Sequence, residues 1–142
     1  MARRKKLKTT MSEKKIREMI FEAGELCLEK KALDVVLLDL RKISQMTDYF
    51  LITSGYTDIH VRSVSEHVEE QLRERHGIKP WHIEGLENGR WVLLDYVDFV
   101  IHIFQPEARA FYQLEKLWID AVRHEIGSGE EEGAAAQGSE AG

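Results

Sequence analysis

The sequence predicts a single α/β domain, a mixed five-stranded sheet flanked by helices in the order α-β-β-α-β-β-β-α. Three observations predict it. Residues 91–104 are the most apolar and β-rich run in the chain, broken near the middle by Asp95, Tyr96 and Asp98 and later by His102. A run rich in β-branched and aromatic residues reads as two strands, 91–95 and 99–104, meeting in a tight turn at Tyr96-Val97. Two earlier stretches repeat apolar residues at spacings of three and four, the period of a helix. One of them lies between the second and third strands, and a crossover helix there points to a mixed sheet.

Each element has its own justification. Ser12 is placed as an N-cap with Glu13 in the first turn, and Ile16, Met19, Ile20, Ala23 and Cys27 make an apolar stripe to about Lys30. Gly24 costs such a helix about 1 kcal/mol relative to Ala, which a close packing contact accounts for. Residues 35–40 are nearly continuously apolar, as in a strand covered on both faces. Residues 48–54 form a second strand, ended by Gly55. Thr57 or Asp58 caps the next helix, whose stripe is Val61, Val64, Val68 and Leu72, and Gly77 sits where a helix-closing glycine belongs. Residues 79–85 are a third extended piece, with Trp81 and Ile83 on one face and His82 and Glu84 on the other. Glu87-Asn88-Gly89 turns the chain into the hairpin. Pro106 suits the first position of a last helix over 106–126, lined by Phe111, Leu114, Trp118, Ala121 and Val122 and closed by Gly127.

The 142 residues suit one domain, and the ends set themselves apart by composition. Residues 1–11 form a basic arm carrying Arg3, Arg4, Lys5, Lys6 and Lys8. Residues 127–142 are a low-complexity acidic tail of Gly, Ala, Ser and Glu. Both read as disordered around a domain spanning 12–126. The chain carries a net charge of −5, and the stretch between arm and tail is itself acidic. An acidic domain is poorly suited to track a phosphate backbone and better suited to a basic protein surface. RNA contact is confined to the basic arm. Fourteen residues are too few to span a bilayer, which takes about 20, so the run at 91–104 is no membrane helix. Cys27 is alone, which excludes a disulfide framework and fits a reducing cytoplasm. No apolar segment follows the basic N-terminus, as a secretory signal requires. The location expected is cytoplasmic.

The chemistry-bearing residues form no familiar catalytic pattern. Asp95 and Asp98 flank the bend as Asp-x-x-Asp, whereas a metal-dependent nucleotidyl-transfer site takes two carboxylates on one strand face and a third nearby. Turn formation is the plainer role. The six histidines are scattered with no His-x-x-x-His pair, and His102, between apolar neighbours, reads as a satisfied core or edge residue. Thr53-Ser54-Gly55 has one glycine and no following Lys, too little for a phosphate-cradling turn. No catalytic residue, metal site or cofactor is assigned. Trp91, beside the Asn-Gly turn, and Tyr96 divide evenly between core packing and interface anchors.

These stretches together resemble the Iojap family of ribosomal silencing factors (RsfS). The resemblance rests on Lys31-Ala32-Leu33-Asp34-Val35-Val36-Leu37-Leu38-Asp39-Leu40, Thr47-Asp48-Tyr49-Phe50-Leu51-Ile52-Thr53-Ser54-Gly55 and Trp91-Val92-Leu93-Leu94-Asp95-Tyr96. His102-Ile103-Phe104 and Tyr112-Gln113-Leu114-Glu115-Lys116-Leu117-Trp118 complete it, so it covers residues 31–121. It implies a nucleotidyltransferase-like α/β fold without that activity. It also implies binding to the large ribosomal subunit through ribosomal protein fourteen of that subunit. The bound factor blocks the small subunit sterically and represses translation under nutrient limitation. Family members are often dimers when free. The resemblance places partner contacts at Trp91, Asp95, Tyr96 and Asp98. The family usually reads Asp-Tyr-Gly-Asp at the bend, whereas this chain has Val97. Either the bend avoids a left-handed residue here or the backbone shifts, because a β-branched residue at positive φ is costly. Two other readings are a metal-dependent nucleotidyltransferase-like enzyme and an RNA-binding accessory factor.

Overall fold

The computed structural model describes residues 11–129. Helix α1 (Glu13–Glu29) starts where Ser12 Oγ accepts a hydrogen bond from the Lys15 N–H at 3.1 Å. Strands β1 (Leu33–Asp39) and β2 (Tyr49–Ser54) follow, then helix α2 (Asp58–His76), capped by the Thr57 hydroxyl. Gly77 ends α2 in a left-handed conformation (φ 69°), the role a glycine fills without a Cβ clash. Strands β3 (His82–Glu84), β4 (Trp91–Asp95) and β5 (Phe99–Phe104) come next.

The C-terminal part departs from the single helix expected over 106–126. Helix α3 (Pro106–Tyr112) has Pro106 in its first turn as expected, but Gln113 turns left-handed (φ 50°) and stops it. A short α4 (Leu114–Leu117) and a strand β6 (Val122–Gly127) complete the fold. The sheet therefore has six strands rather than five, in the order β3-β4-β5-β2-β1-β6. The spacing 111, 114, 118, 121, 122 imitates one helix stripe, yet Phe111 and Val122 are exposed. The open edge of β1 takes the last segment as an antiparallel strand, with Leu38 opposite Arg123 and Val36 opposite Glu125. Ladder hydrogen bonds on an otherwise bare edge outweigh a second helical turn there. Beyond β6, the Asp34 N–H donates to Ser128 Oγ at 3.1 Å, and the Gly129 N–H to the Ala32 carbonyl. The rest of the expected basic arm and acidic tail lies outside the described residues.

The sheet is mixed, as the crossover helix implied. β2 and β5 run parallel and all other pairs are antiparallel. Helices α1 and α2 cover one face, burying Ile16, Met19, Ile20, Val61, Val64 and Val68 against Leu37, Leu51, Val92 and Ile101. The segment of α3 and α4 covers part of the other face, where Leu114, Trp118 and Ala121 pack on Val36, Leu38, Ile52 and Phe104. Gly24 is explained by β6: a Cβ there would lie 3.1 Å from Ile126 Cδ1, so α1 and β6 pack as closely as glycine allows. Cys27 is fully buried, and burial pushes its thiol up to about 12, so no thiolate forms near neutral pH.

Candidate protein-docking site

Strand β4 carries the site. Alternation turns Trp91, Leu93 and Asp95 to the face away from α1 and α2, and Tyr96 to the helix side. The antiparallel register sets Trp91 opposite Phe104 and Leu93 opposite His102. Trp91 is half-buried and rigidly held. Its Nε1–H donates to His102 Nδ1 at 3.1 Å, and its ring stacks on Phe104 at 4.8 Å. Tyr112, from the end of α3, meets the same ring at 4.8 Å. Part of the indole stays open, and an aromatic side chain so held would contact a partner at little entropic cost.

The other three expected contacts lie at the far end of β4. Four residue steps separate Trp91 from Asp95, roughly 13 Å along the strand. They therefore lie at two ends of one strand and not in a single pocket. Asp95, Tyr96 and Asp98 are only 7, 8 and 4% exposed. Asp95 anchors the bend itself, its Oδ1 accepting from the Val97 N–H at 2.8 Å. The Asp98 N–H donates to the Tyr96 carbonyl at 2.8 Å, and Val97 between them has φ 73°. A bond from residue i+2 to i with positive φ at the centre is the rarer, strained hand of γ-turn. The bend does not avoid a left-handed residue, as the first alternative expected; it keeps the positive φ and bears the strain in Val97. The Asp48 N–H donates to the Asp98 carbonyl at 2.9 Å, tying the bend to the start of β2. Tyr96 stacks on Phe99 at 4.9 Å in the helix-side core, and burial raises its phenol well above the usual range.

Several residues beyond the sequence reading belong to this surface. His102 is buried, and burial pulls its imidazole down to about 3, so it is neutral. Its Nδ1 is taken by Trp91, while Nε2 has no hydrogen-bond partner, so it is half satisfied and not the fully satisfied core residue expected. Thr47 Oγ1 is buried in the same way. Both line a cavity of about 230 Å³ with Phe50, Leu93, Asp95 and Trp118. The alternation of β4 and β5, once paired in register across the bend, is the signal that would have put His102 beside Trp91. Nothing local in the sequence brings in Thr47 or Trp118. Among the described residues no three His, Cys, Asp or Glu side chains are grouped to hold a metal ion, and no helix is long and apolar enough to cross a membrane.

The family model described as "Ribosomal silencing factor during starvation" (RsfS) matches residues 13–141. The chain belongs to the RsfS family. The resemblance read from residues 31–121 is thereby borne out and extended toward both ends. The RsfS of Bacillus subtilis strain 168 is 41% identical over 99 residues, covering 70% of this chain and 83% of that protein. The mouse protein named "Mitochondrial assembly of ribosomal large subunit protein 1" is 30% identical over 92 residues, covering 63% of this chain and 40% of that one. A crystal structure of a Chromobacterium violaceum protein superposes with a TM-score of 0.67 at 30% identity, covering 76% of this chain and 87% of that one. This RsfS-family member thus shares with solved relatives a mixed sheet flanked by helices, and the strand that carries Trp91 belongs to a fold common to them.

Proposed function

We propose that this RsfS-family chain binds the large ribosomal subunit through that subunit's ribosomal protein fourteen and sterically blocks association with the small subunit. It thereby represses translation under nutrient limitation, in the cytoplasm and without catalysis or cofactor. The observation that carries this reading is the 41% identity to a protein named as a ribosomal silencing factor over most of both chains. A mouse relative named for assembly of the ribosomal large subunit supports the same target. The site chemistry agrees. A rigid, half-open Trp91 supplies the apolar anchor, and the corner built by Asp95, Tyr96 and Asp98 adds negative potential that steers a basic protein. When free, the chain pairs with a second copy, for which exposed Phe111, Leu117 and Ile119 supply apolar surface.

The deciding experiment is co-sedimentation with separated ribosomal subunits. The wild type is expected to pellet with large and not small subunits. Trp91→Ala is expected to lose this by about 2 kcal/mol or more, roughly thirtyfold, while remaining folded by thermal melt. Trp91→Ala that still pellets as wild type defeats the anchor role. Deletion of residues 1–8 is expected to leave large-subunit affinity unchanged; its loss would favour RNA contact through the basic arm.

A further inference from the structure

The half-open cavity beside Trp91 holds two buried polar atoms that the fold leaves unused. Trp91 Nε1 can only donate, so the His102 Nδ1 that receives it at 3.1 Å is an acceptor. In a neutral imidazole the proton then sits on Nε2. That buried N–H has no acceptor, and neither does the hydroxyl of Thr47, which comes from the loop before β2. A buried donor left without an acceptor lowers the stability of a fold. The rest of the wall is largely apolar: Phe50, Leu93, Val100 and Trp118, around a volume of about 230 Å³. Phe50 packs on the His102 ring with centroids 4.6 Å apart, which holds the imidazole in place without supplying an oxygen acceptor.

We infer that this cavity seats an apolar side chain of the ribosomal protein partner, with a neutral carbonyl oxygen of that segment accepting hydrogen bonds from His102 Nε2–H and the Thr47 hydroxyl. The inference rests on the docking reading above and deepens it. At about 230 Å³ the cavity holds one Leu or Phe side chain with space left for the adjoining carbonyl. The acidic side chain of Asp95 on the same wall disfavours a phosphate or carboxylate, which sets a protein segment above RNA as the occupant. The cavity is coupled to the anchor, because Trp91 itself fixes the tautomer that presents the Nε2–H. A polar pair kept unsatisfied in the free protein and satisfied in the complex gives specificity: a partner lacking the carbonyl at that position leaves both donors unpaired.

Thr47→Val tests this cleanly, since it keeps the shape, removes only the hydroxyl and lies off the strand that carries Trp91. Its expected signature is double. Affinity for purified large subunits falls about three- to tenfold, the value of one hydrogen bond, while the melting temperature of the free protein stays level or rises. Leu93→Phe, which narrows the cavity, is expected to weaken binding further. Nitrogen-15 spectra of the free protein are expected to show His102 protonated at Nε2, with that signal shifting on addition of purified ribosomal protein fourteen. If Trp91→Ala loses binding while Thr47→Val binds as wild type, the cavity inference falls and the docking reading stands. If Thr47→Val lowers the melting temperature, the hydroxyl is already satisfied within the fold and the inference falls. If the wild type fails to bind large subunits, both fall.

Discussion

Val97 is the residue where local preference and the fold disagree most openly. A β-branched side chain at φ 73° is disfavoured, and such positions cost of order 1–3 kcal/mol. Val97→Gly is therefore expected to raise the melting temperature, because the relief exceeds the added chain entropy of glycine, about 0.5–1 kcal/mol. An unchanged or lower melting temperature would show that the side chain's own contacts offset the strain. Asp95 is the counterpart. Its Oδ1 holds the Val97 N–H at 2.8 Å, so Asp95→Ala removes the bend's clamp and is expected to cost about 1–3 kcal/mol in denaturant unfolding. His102 supplies a pH dependence whose sign is definite. Burial lowers its folded pKa to about 3 from an ordinary 6.5. Between those values the unfolded chain binds the extra proton, so its contribution is full above pH 6.5 and is lost as the pH falls toward 3. His102→Phe is expected to flatten stability across that window; an unaltered slope would mean that other groups govern it.

At the scale of elements, α1 and the C-terminal strand decide one another's position. Gly24 lets β6 approach, with Ile126 Cδ1 only 3.1 Å from where a Cβ would sit. Gly24→Val is expected to destabilise by about 1–3 kcal/mol through overpacking. Combining it with Ile126→Ala should recover part of that loss, the coupling expected of residues in contact. Additive losses in the double mutant would refute the contact as the cause. The α3–α4 segment is pinned by Arg109, which donates to Ser54 Oγ at 3.0 Å and to the Glu115 carboxylate at 3.0 and 3.2 Å. Glu115 in turn meets Arg123 of β6 at 3.0 Å. Arg109 and Arg123, sharing the Glu115 carboxylate, thus link the end of β2, the α4 turn and the edge strand, which explains how a segment with exposed Phe111, Leu117 and Ile119 keeps a defined path.

For the whole molecule, the two helices of the covered face are joined by Glu22 of α1, which receives Arg75 and His76 of α2 at 2.7 Å each. Burial alone would raise the Glu22 carboxyl, but hydrogen bonds and charge from Arg75 and His76 outweigh it and hold it below the usual range. A depressed carboxyl contributes stability above its ordinary value of 4.5 and loses it as the pH falls through the folded value. Glu22→Gln is expected to soften acid unfolding below about pH 4.5; an acid limb identical to wild type would remove this bridge from the account. Because the bridge lies on the helix side and Trp91 on the other, the variant should leave the proposed large-subunit binding unchanged, separating fold stability from docking.

What the sequence determined by itself was mostly local. The caps at Ser12 and Thr57, the stripes of α1 and α2, and the strand periodicity through 91–104 are set by neighbours within a few residues, and each is found in place. The ordered blocks from Lys31 to Trp118 carried the family. The tertiary structure alone decided the rest. Residues 106–126 became two short helices and a strand because β1 offered an open edge that no local pattern records. Asp95 and Asp98, read as acids at a bend, are buried builders of that bend, since the hairpin corner packs on β2. And the surface around Trp91 exists only because register and a distant α4 bring His102, Thr47 and Trp118 to one cavity, an assembly of residues far apart in the chain whose proximity is fixed by packing.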